Sequence, residues 1–303
     1  MATLETFPVL DISDWRLAGV EPTGLTPHYW YRQPDAPELW LFKPVEVPDG
    51  RVLGDDWSEK VASEVASLLE IPAARIELAR RATQVGCISQ NLIPRKWEMQ
   101  EGAVLLAGTV PGYRSRIPGR AGHSTVNIQL ALDRFGPPPN SILPADFGAY
   151  DVFVGYLIFD ALIANKDRHD GNWAVLRPPS DRSVPDALCG SFDHASSLGF
   201  NLTDAERSHR LAHGLVKQWA LRGDAYRFER PVGTRAQSLV EHALEACSRA
   251  RPVVTDHWLQ RVADLTDASV SHIVNSVPDL SEPTAMFIKE LLMINKGRLL
   301  NGH

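Results

Sequence analysis

The pattern of apolar and polar positions changes along the chain. Over the first hundred residues, short apolar and aromatic runs alternate with polar turns. The runs "HYWYR" (28–32) and "LWLFK" (39–43) are separated by the turn-like "QPDAPE", which predicts a β-hairpin. "RIELAR" (75–80) and "VGCISQNLI" (85–93) predict two more strands, and "AVLLAG" (103–108) predicts a further short one.

One segment within this strand-rich region has helical spacing. In "WSEKVASEVASLLE", the apolar residues Val61, Val65 and Leu69 share one face, and Pro72 ends the pattern. From Ser124 onward the chain predicts mostly helices. The first two are "STVNIQLALDRF" and "PADFGAYDVFVGYLIFDALIA". The second is nearly all apolar, and we expect it to be buried.

Two short strands, "WAVL" (173–176) and "GSFD" (190–193), are predicted before a further series of helices that reaches the C-terminus. The expected fold class is therefore α+β with two lobes. A small strand-rich N-terminal lobe with one helix covers residues 1–100, and a larger, mainly helical lobe covers residues 101–303.

Composition narrows the class of protein. The chain has 303 residues, of which 44% are hydrophobic, and this is typical of a globular protein. Its net charge of −6 disfavours direct nucleic-acid binding. The three cysteines are widely separated, no signal peptide is recognisable and no long apolar run is present, so we expect a soluble cytoplasmic protein without membrane partners.

The most informative segment is "NKDRHDGNWAVL" (165–176), which follows the buried helix directly. Asp167 and Asn172 are five positions apart, a spacing at which one residue orients a substrate hydroxyl and the other holds magnesium in kinases. Asp193 follows 21 residues after Asn172, at the end of a short apolar segment, and is the expected second metal ligand.

Phosphoryl transfer also requires groups that hold the nucleotide phosphates. Lys43 ends the apolar strand "LWLFK" and is the expected cation. Thr23 and Gly24 lie in the turn before the hairpin, where backbone amides can cover phosphates, although a single glycine is a weak motif.

These motifs together resemble the HipA-like serine/threonine kinases, whose catalytic segment N-x-D-x-H-x-x-N is matched by Asn165, Asp167, His169 and Asn172. The resemblance implies that Lys43 and Asp167 are catalytic, with His169 supporting the loop or the transferred charge. It also implies that Glu59 partners Lys43, with Glu64 as the rival, and that Gln90 and Asn91 lie where the adenine of ATP binds.

The implied cofactors are ATP and Mg²⁺, and the implied acceptor is a protein, with the enzyme itself as one option. The resemblance leaves a toxin role and an antitoxin partner open. "DRHDGN" also matches the D-R-H-x-x-N of phosphoinositide kinases, so a lipid or small-molecule acceptor is the first alternative.

Two further classes remain. A metal-dependent phosphoesterase would use Asp167, His169, Asp193 and His194, and a pseudokinase would bind partners without catalysis.

Overall fold

The computed structural model describes most of the chain. The described residues are 6–21, 28–115, 117, 119, 121–180 and 184–302. Within them the N-terminal part is a sheet and the C-terminal part is helical, so the predicted α+β class is confirmed.

A six-stranded sheet dominates the N-terminal part, with strand order β1-β5-β6-β4-β3-β2. Its β1 runs parallel to β5 and the other neighbours are antiparallel. The predicted hairpin is present, since β3 and β4 pair from Tyr29 with Phe42 to Arg32 with Leu39. The strands are β1 (Val9–Asp11), β2 (Arg16–Val20), β3 (Tyr29–Arg32), β4 (Leu39–Pro44), β5 (Ile76–Arg81) and β6 (Gln84–Gln90).

The predicted helix of this part is α1 (Asp55–Leu68). Its apolar face buries Val61 and Val65, because residues four apart lie on one side of a helix. The same turns bury two charged residues, Glu59 and Lys60, and both find charged partners. The helix therefore contributes buried charge as well as core to the site described below.

A second, three-stranded sheet has the order β7-β8-β9, with β7 at Glu98–Glu101, β8 at Ala174–Arg177 and β9 at Ala187–Leu188. The first strand of this second sheet, β7, therefore begins just before residue 100. The exact division into two lobes at residues 100 and 101 stays a prediction.

Two predicted strands are wrong. "AVLLAG" lies in helix α2 (Gly102–Thr109), because a six-residue apolar run does not distinguish a helix from a strand. "GSFD" is extended only at Ser191, which bridges to Ala73, and Asp193 has a left-handed φ of 62°. The strand in this region, β9, lies a few residues earlier.

The helical part is built around α4 (Ala149–Ile163), in which every residue except Asp151 is buried. Because α4 is apolar on all sides, it is surrounded by other elements, and α7 and α10 pack against it. The other helices are α3 (Thr125–Leu132), α5 (Asp204–Ala212), α6 (Val216–Ala220), α7 (Leu239–Arg249), α8 (Pro252–Asp264), α9 (Asp267–Asn275) and α10 (Glu282–Asn301).

Among the described residues, no helix combines the length and apolar character that crossing a bilayer requires.

Candidate active site

Lys43 lies where the two parts of the molecule meet. It is near the end of β4, and its Nζ donates to Glu59 Oε1 of α1 at 2.7 Å and to Asp193 Oδ1 at 2.8 Å. Burial by itself lowers the pKa of Lys43, but the carboxylates of Asp193 and Glu59 outweigh it and raise that pKa above its ordinary value. Lys43 is therefore a fixed cation between two carboxylates.

The alternative partner, Glu64, lies elsewhere. It accepts a bond from Lys60 at 2.7 Å, one turn further along α1. Glu59 is fully buried, and its second oxygen accepts from the backbone N–H of His194 at 3.0 Å. This carboxylate thus ties α1 to both Lys43 and the segment that carries Asp193.

Asp193 has the left-handed backbone conformation that is uncommon outside glycine. Its side chain is 42% exposed, and Lys43 holds the pKa of this carboxyl below its ordinary value. Asp193 therefore presents an ionised carboxylate to the space beside Lys43.

The loop that contains Asp167 and Asn172 follows the C-terminal end of α4. The helix ends at Ala164 with a left-handed φ of 55°, which turns the chain sharply. Asn165 Oδ1 then accepts from the Asp167 N–H at 3.0 Å, and Asn172 Nδ2 donates to the Asp167 carbonyl at 2.9 Å. These two bonds turn the loop back on itself.

A buried ion pair holds this loop against α4. The guanidinium of Arg168 donates to both carboxylate oxygens of Asp160, at 2.7 and 2.8 Å, and also to the Asn172 carbonyl at 2.6 Å. Both side chains are 2% exposed. The sequence contained a signal for this pair, because Asp160 lies within the apolar run "VFVGYLIFDALIA" near the end of the helix and buried charges are normally paired.

Asp167 has a partner that the sequence did not predict. Arg227 Nε donates to Asp167 Oδ1 at 2.8 Å, from a loop 60 residues later in the chain. No local pattern marks Arg227, since its role depends on how the C-terminal helices return to the loop. The two side chains are about one quarter exposed, so the pair borders solvent.

A cleft with a volume of about 240 Å³ opens beside Lys43. Its lining contains six of the predicted site residues. They are Lys43, Gln90, Asn91, His169, Asn172 and Asp193.

Gln90 ends β6 and Asn91 follows it, and both line the cleft; their contact with adenine stays a prediction. Trp30, Met99 and Glu101 also line the cleft and were not predicted. Asp167 is not in this lining, and Glu59 lies behind Lys43. Thr23 and Gly24 lie outside the described residues.

The donor set of the cleft fits a nucleotide with magnesium. Asn172 uses its Nδ2 on the Asp167 carbonyl, so its amide oxygen is the group that remains for a metal. Asp193 adds a carboxylate and Lys43 a cation. One carboxylate and one amide oxygen, completed by phosphates and water, are typical of Mg²⁺ sites.

The histidines do not have the arrangement that a phosphoesterase requires. His194 is buried, and its Nε2 lies 2.7 Å from Ser191 Oγ, so it points away from the cleft. His169 Nδ1 accepts from the Gly171 N–H at 3.0 Å within its own loop. Burial lowers the pKa of both imidazoles, and they hold local structure in this arrangement.

A sheet with one helix, a helical part behind it and this cleft between them define a kinase-like fold. Comparisons with solved structures agree. The proinflammatory kinase CtkA of Helicobacter pylori superimposes with a TM-score of 0.72 at 16% identity, over 97% of this chain and 96% of that one.

HipA of Shewanella oneidensis, solved with HipB and its operator DNA, superimposes with a TM-score of 0.53 at 11% identity. The match covers 99% of this chain and 66% of that one. No protein-family model and no curated protein matches the sequence. The predicted resemblance to HipA-like kinases is thus confirmed at the level of the fold.

Proposed function

We propose that the protein is an ATP- and Mg²⁺-dependent kinase that transfers phosphate to a serine or threonine hydroxyl of a protein. The observation that carries this proposal is the arrangement of Lys43 between Glu59 and Asp193, with Asn172 in the same cleft. The kinase-like fold of CtkA and HipA supports it.

Each residue has a proposed role. Asp193 and Asn172 hold magnesium, which would neutralise charge on the phosphates when bound. Lys43 binds the phosphates, and Glu59 keeps its ammonium group in place. Gln90 and Asn91 contact the adenine, and the prediction that Thr23 and Gly24 cover the phosphates still stands.

Asp167 orients the acceptor hydroxyl. Arg227 holds Oδ1 of this carboxylate, and no described side chain bonds to Oδ2, which is therefore the oxygen for the hydroxyl. A loose transition state for phosphoryl transfer needs positioning more than strong proton abstraction. An aspartate whose orientation is fixed by Arg227 suits that requirement.

The test is incubation of the purified protein and Mg²⁺ with radiolabelled ATP, in parallel with a cell lysate and a lipid extract. We expect label on a protein band or on the enzyme itself, and none with Lys43→Met. Lys217→Met, a change at an exposed lysine of α6, is the matched control and keeps full transfer. Label confined to lipid or to a soluble metabolite would contradict the proposed acceptor.

A further inference from the structure

A second groove lies on the other side of the loop that carries Asp167. Its volume is about 610 Å³, and Asp167 is part of its lining. His169 and Asn172 of the same loop line the nucleotide cleft instead. No described residue lines both spaces, so the loop separates them and presents Asp167 to the second one.

This second groove is rich in positive charge. Lys166, Arg210, Arg222 and Arg227 line it, while Asp167 is the only carboxylate among the described lining residues. The chain as a whole has a net charge of −6, so the groove differs in sign from the rest of the molecule. We call it the basic groove.

Two of its four cations are already neutralised. Lys166 pairs with Asp224 at 2.9 Å, and Arg227 pairs with Asp167. The other two have no carboxylate bonded to them in the described part of the chain. Arg210 donates to the backbone carbonyl of Glu206 at 2.7 Å, and the Arg222 side chain has no bonded partner there.

We propose that the basic groove binds the acceptor segment of the protein substrate, and that Arg210 and Arg222 select acceptors with an aspartate or glutamate near the phosphorylated hydroxyl. The inference rests on the proposed kinase function, because it gives the acceptor of the same site its chemical character. Trp219, Tyr226 and Phe200 supply apolar walls for the rest of the segment.

Charge complementarity is the reason for an acidic segment. A basic segment would meet Arg210 and Arg222, two cations that have no carboxylate bonded to them among the described residues, and like charges brought together oppose binding. An anionic bilayer is disfavoured as the source of the acceptor, because the net charge of −6 opposes approach to it.

The first experiment measures transfer from ATP·Mg²⁺ to a serine-containing peptide library. One flanking position at a time is fixed as Glu, Gln or Lys. We expect kcat/KM to be higher with Glu than with Gln at one or more positions, by about 1.4- to fivefold for the one exposed ion pair that a single Glu adds, and lowest with Lys. Equal rates for the three residues at every position would overturn the inference, as would transfer to phosphoinositide vesicles alone.

The second experiment uses variants of the groove. In Arg222→Gln with Arg210→Gln, the ratio of the Glu peptide to the Gln peptide should fall towards one. In Arg222→Glu, the preference should shift towards the Lys peptide. The matched control is Arg134→Gln, an exposed arginine outside the groove lining, which keeps the wild-type ratio.

Binding of the same peptides without ATP, measured by fluorescence anisotropy, separates the inference from the proposed function. If no phosphate is transferred but the Glu peptide binds more tightly than the Gln peptide in an Arg222-dependent way, the groove is confirmed and the kinase proposal fails. If phosphate is transferred without any flanking preference, the kinase proposal holds and the inference fails.

Discussion

At the scale of single residues, the site depends on three carboxylates, two paired with Lys43 and one paired with Arg227. Glu59 is buried against Lys43, Asp193 faces the cleft beside the same lysine, and Asp167 is held by Arg227. The three differ in exposure from 1% for Glu59 to 42% for Asp193. Their proposed roles follow these environments, since a buried acid fixes a neighbour and an exposed one is free to bind a ligand.

Replacing Asp167 with asparagine separates binding from turnover. Asp167 does not line the cleft beside Lys43, where we propose that ATP binds, so Asp167→Asn should bind ATP·Mg²⁺ with the wild-type affinity in calorimetry. Turnover should fall by about 10²- to 10⁴-fold, because positioning and proton transfer at the hydroxyl are lost. Asp256→Asn, at an exposed site on α8, is the control, and a variant with normal turnover would remove Asp167 from the mechanism.

At the scale of elements, α4 and the loop that follows it form one unit. The buried pair of Asp160 and Arg168 joins them, and Arg168 reaches further to the Asn172 carbonyl and to Ser191 Oγ. Burial raises the pKa of Asp160, although Arg168 opposes the shift. The geometry of the loop therefore depends on a charge inside an apolar helix.

Replacing either member of this ion pair should lower the free energy of unfolding. Asp160→Asn or Arg168→Met alone leaves a buried charge without its partner, which typically costs about 3–5 kcal/mol of unfolding free energy. The double variant should cost less than the sum of the two, because the second change removes that charge. Urea unfolding measures all three, and strictly additive losses would show that the two side chains are not coupled.

His123 links the loop before α3 to the loop that carries Arg227. His123 stacks on Phe228 with ring centroids 4.4 Å apart, and its Nδ1 lies 3.1 Å from the Arg227 carbonyl. Its Nε2 accepts from Trp173 Nε1 at 3.4 Å. Only the neutral ring satisfies both contacts, and burial lowers the pKa of His123 to about 4.

The contribution of His123 to stability should therefore depend on pH. Its folded pKa is below the ordinary value of about 6.5, so the unfolded chain binds the proton more readily and stability is lost as pH falls from about 6.5 to 4. The stability difference between wild type and His123→Asn should shrink by on the order of 3 kcal/mol over that range. Urea unfolding at several pH values measures it, with exposed His213→Asn as the control. A constant difference would contradict a neutral buried imidazole.

At the scale of the whole molecule, the cleft beside Lys43 is lined from both parts. Lys43 and Gln90 come from the six-stranded sheet, while Asn172 and Asp193 come from the part built on α4. A ligand that contacts all four is bound only when both parts are folded and in place. ATP should therefore stabilise the chain as a unit.

This stabilisation is measurable as a thermal shift. At 100 times its dissociation constant, a ligand adds about 2.7 kcal/mol to the stability of the state that binds it, which should raise the unfolding midpoint of the wild type by several degrees. In Asp193→Asn, ATP should produce a much smaller shift that no longer depends on Mg²⁺. A shift that is equally Mg²⁺-dependent in this variant would remove Asp193 from the metal site.

The amino-acid sequence by itself determined the class of the fold and most of the candidate site. The pattern of apolar positions identified three elements: two apolar runs around a turn predicted the hairpin, helical spacing predicted α1, and a long apolar run predicted the buried α4. The spacing of Asp167 and Asn172 predicted the loop after α4, because both residues lie in one local turn, and Asn172 and Asp193 both line the cleft beside Lys43.

Only the tertiary structure decided the remaining contacts. The choice of Glu59 over Glu64 depends on how α1 is rotated against β4, which the helical period alone does not settle. Arg227 reaches Asp167 across 60 residues, and the basic groove forms where α5, α6 and the loop after α4 meet. Such contacts depend on the packing of distant elements, and no pattern within a single segment encodes that packing.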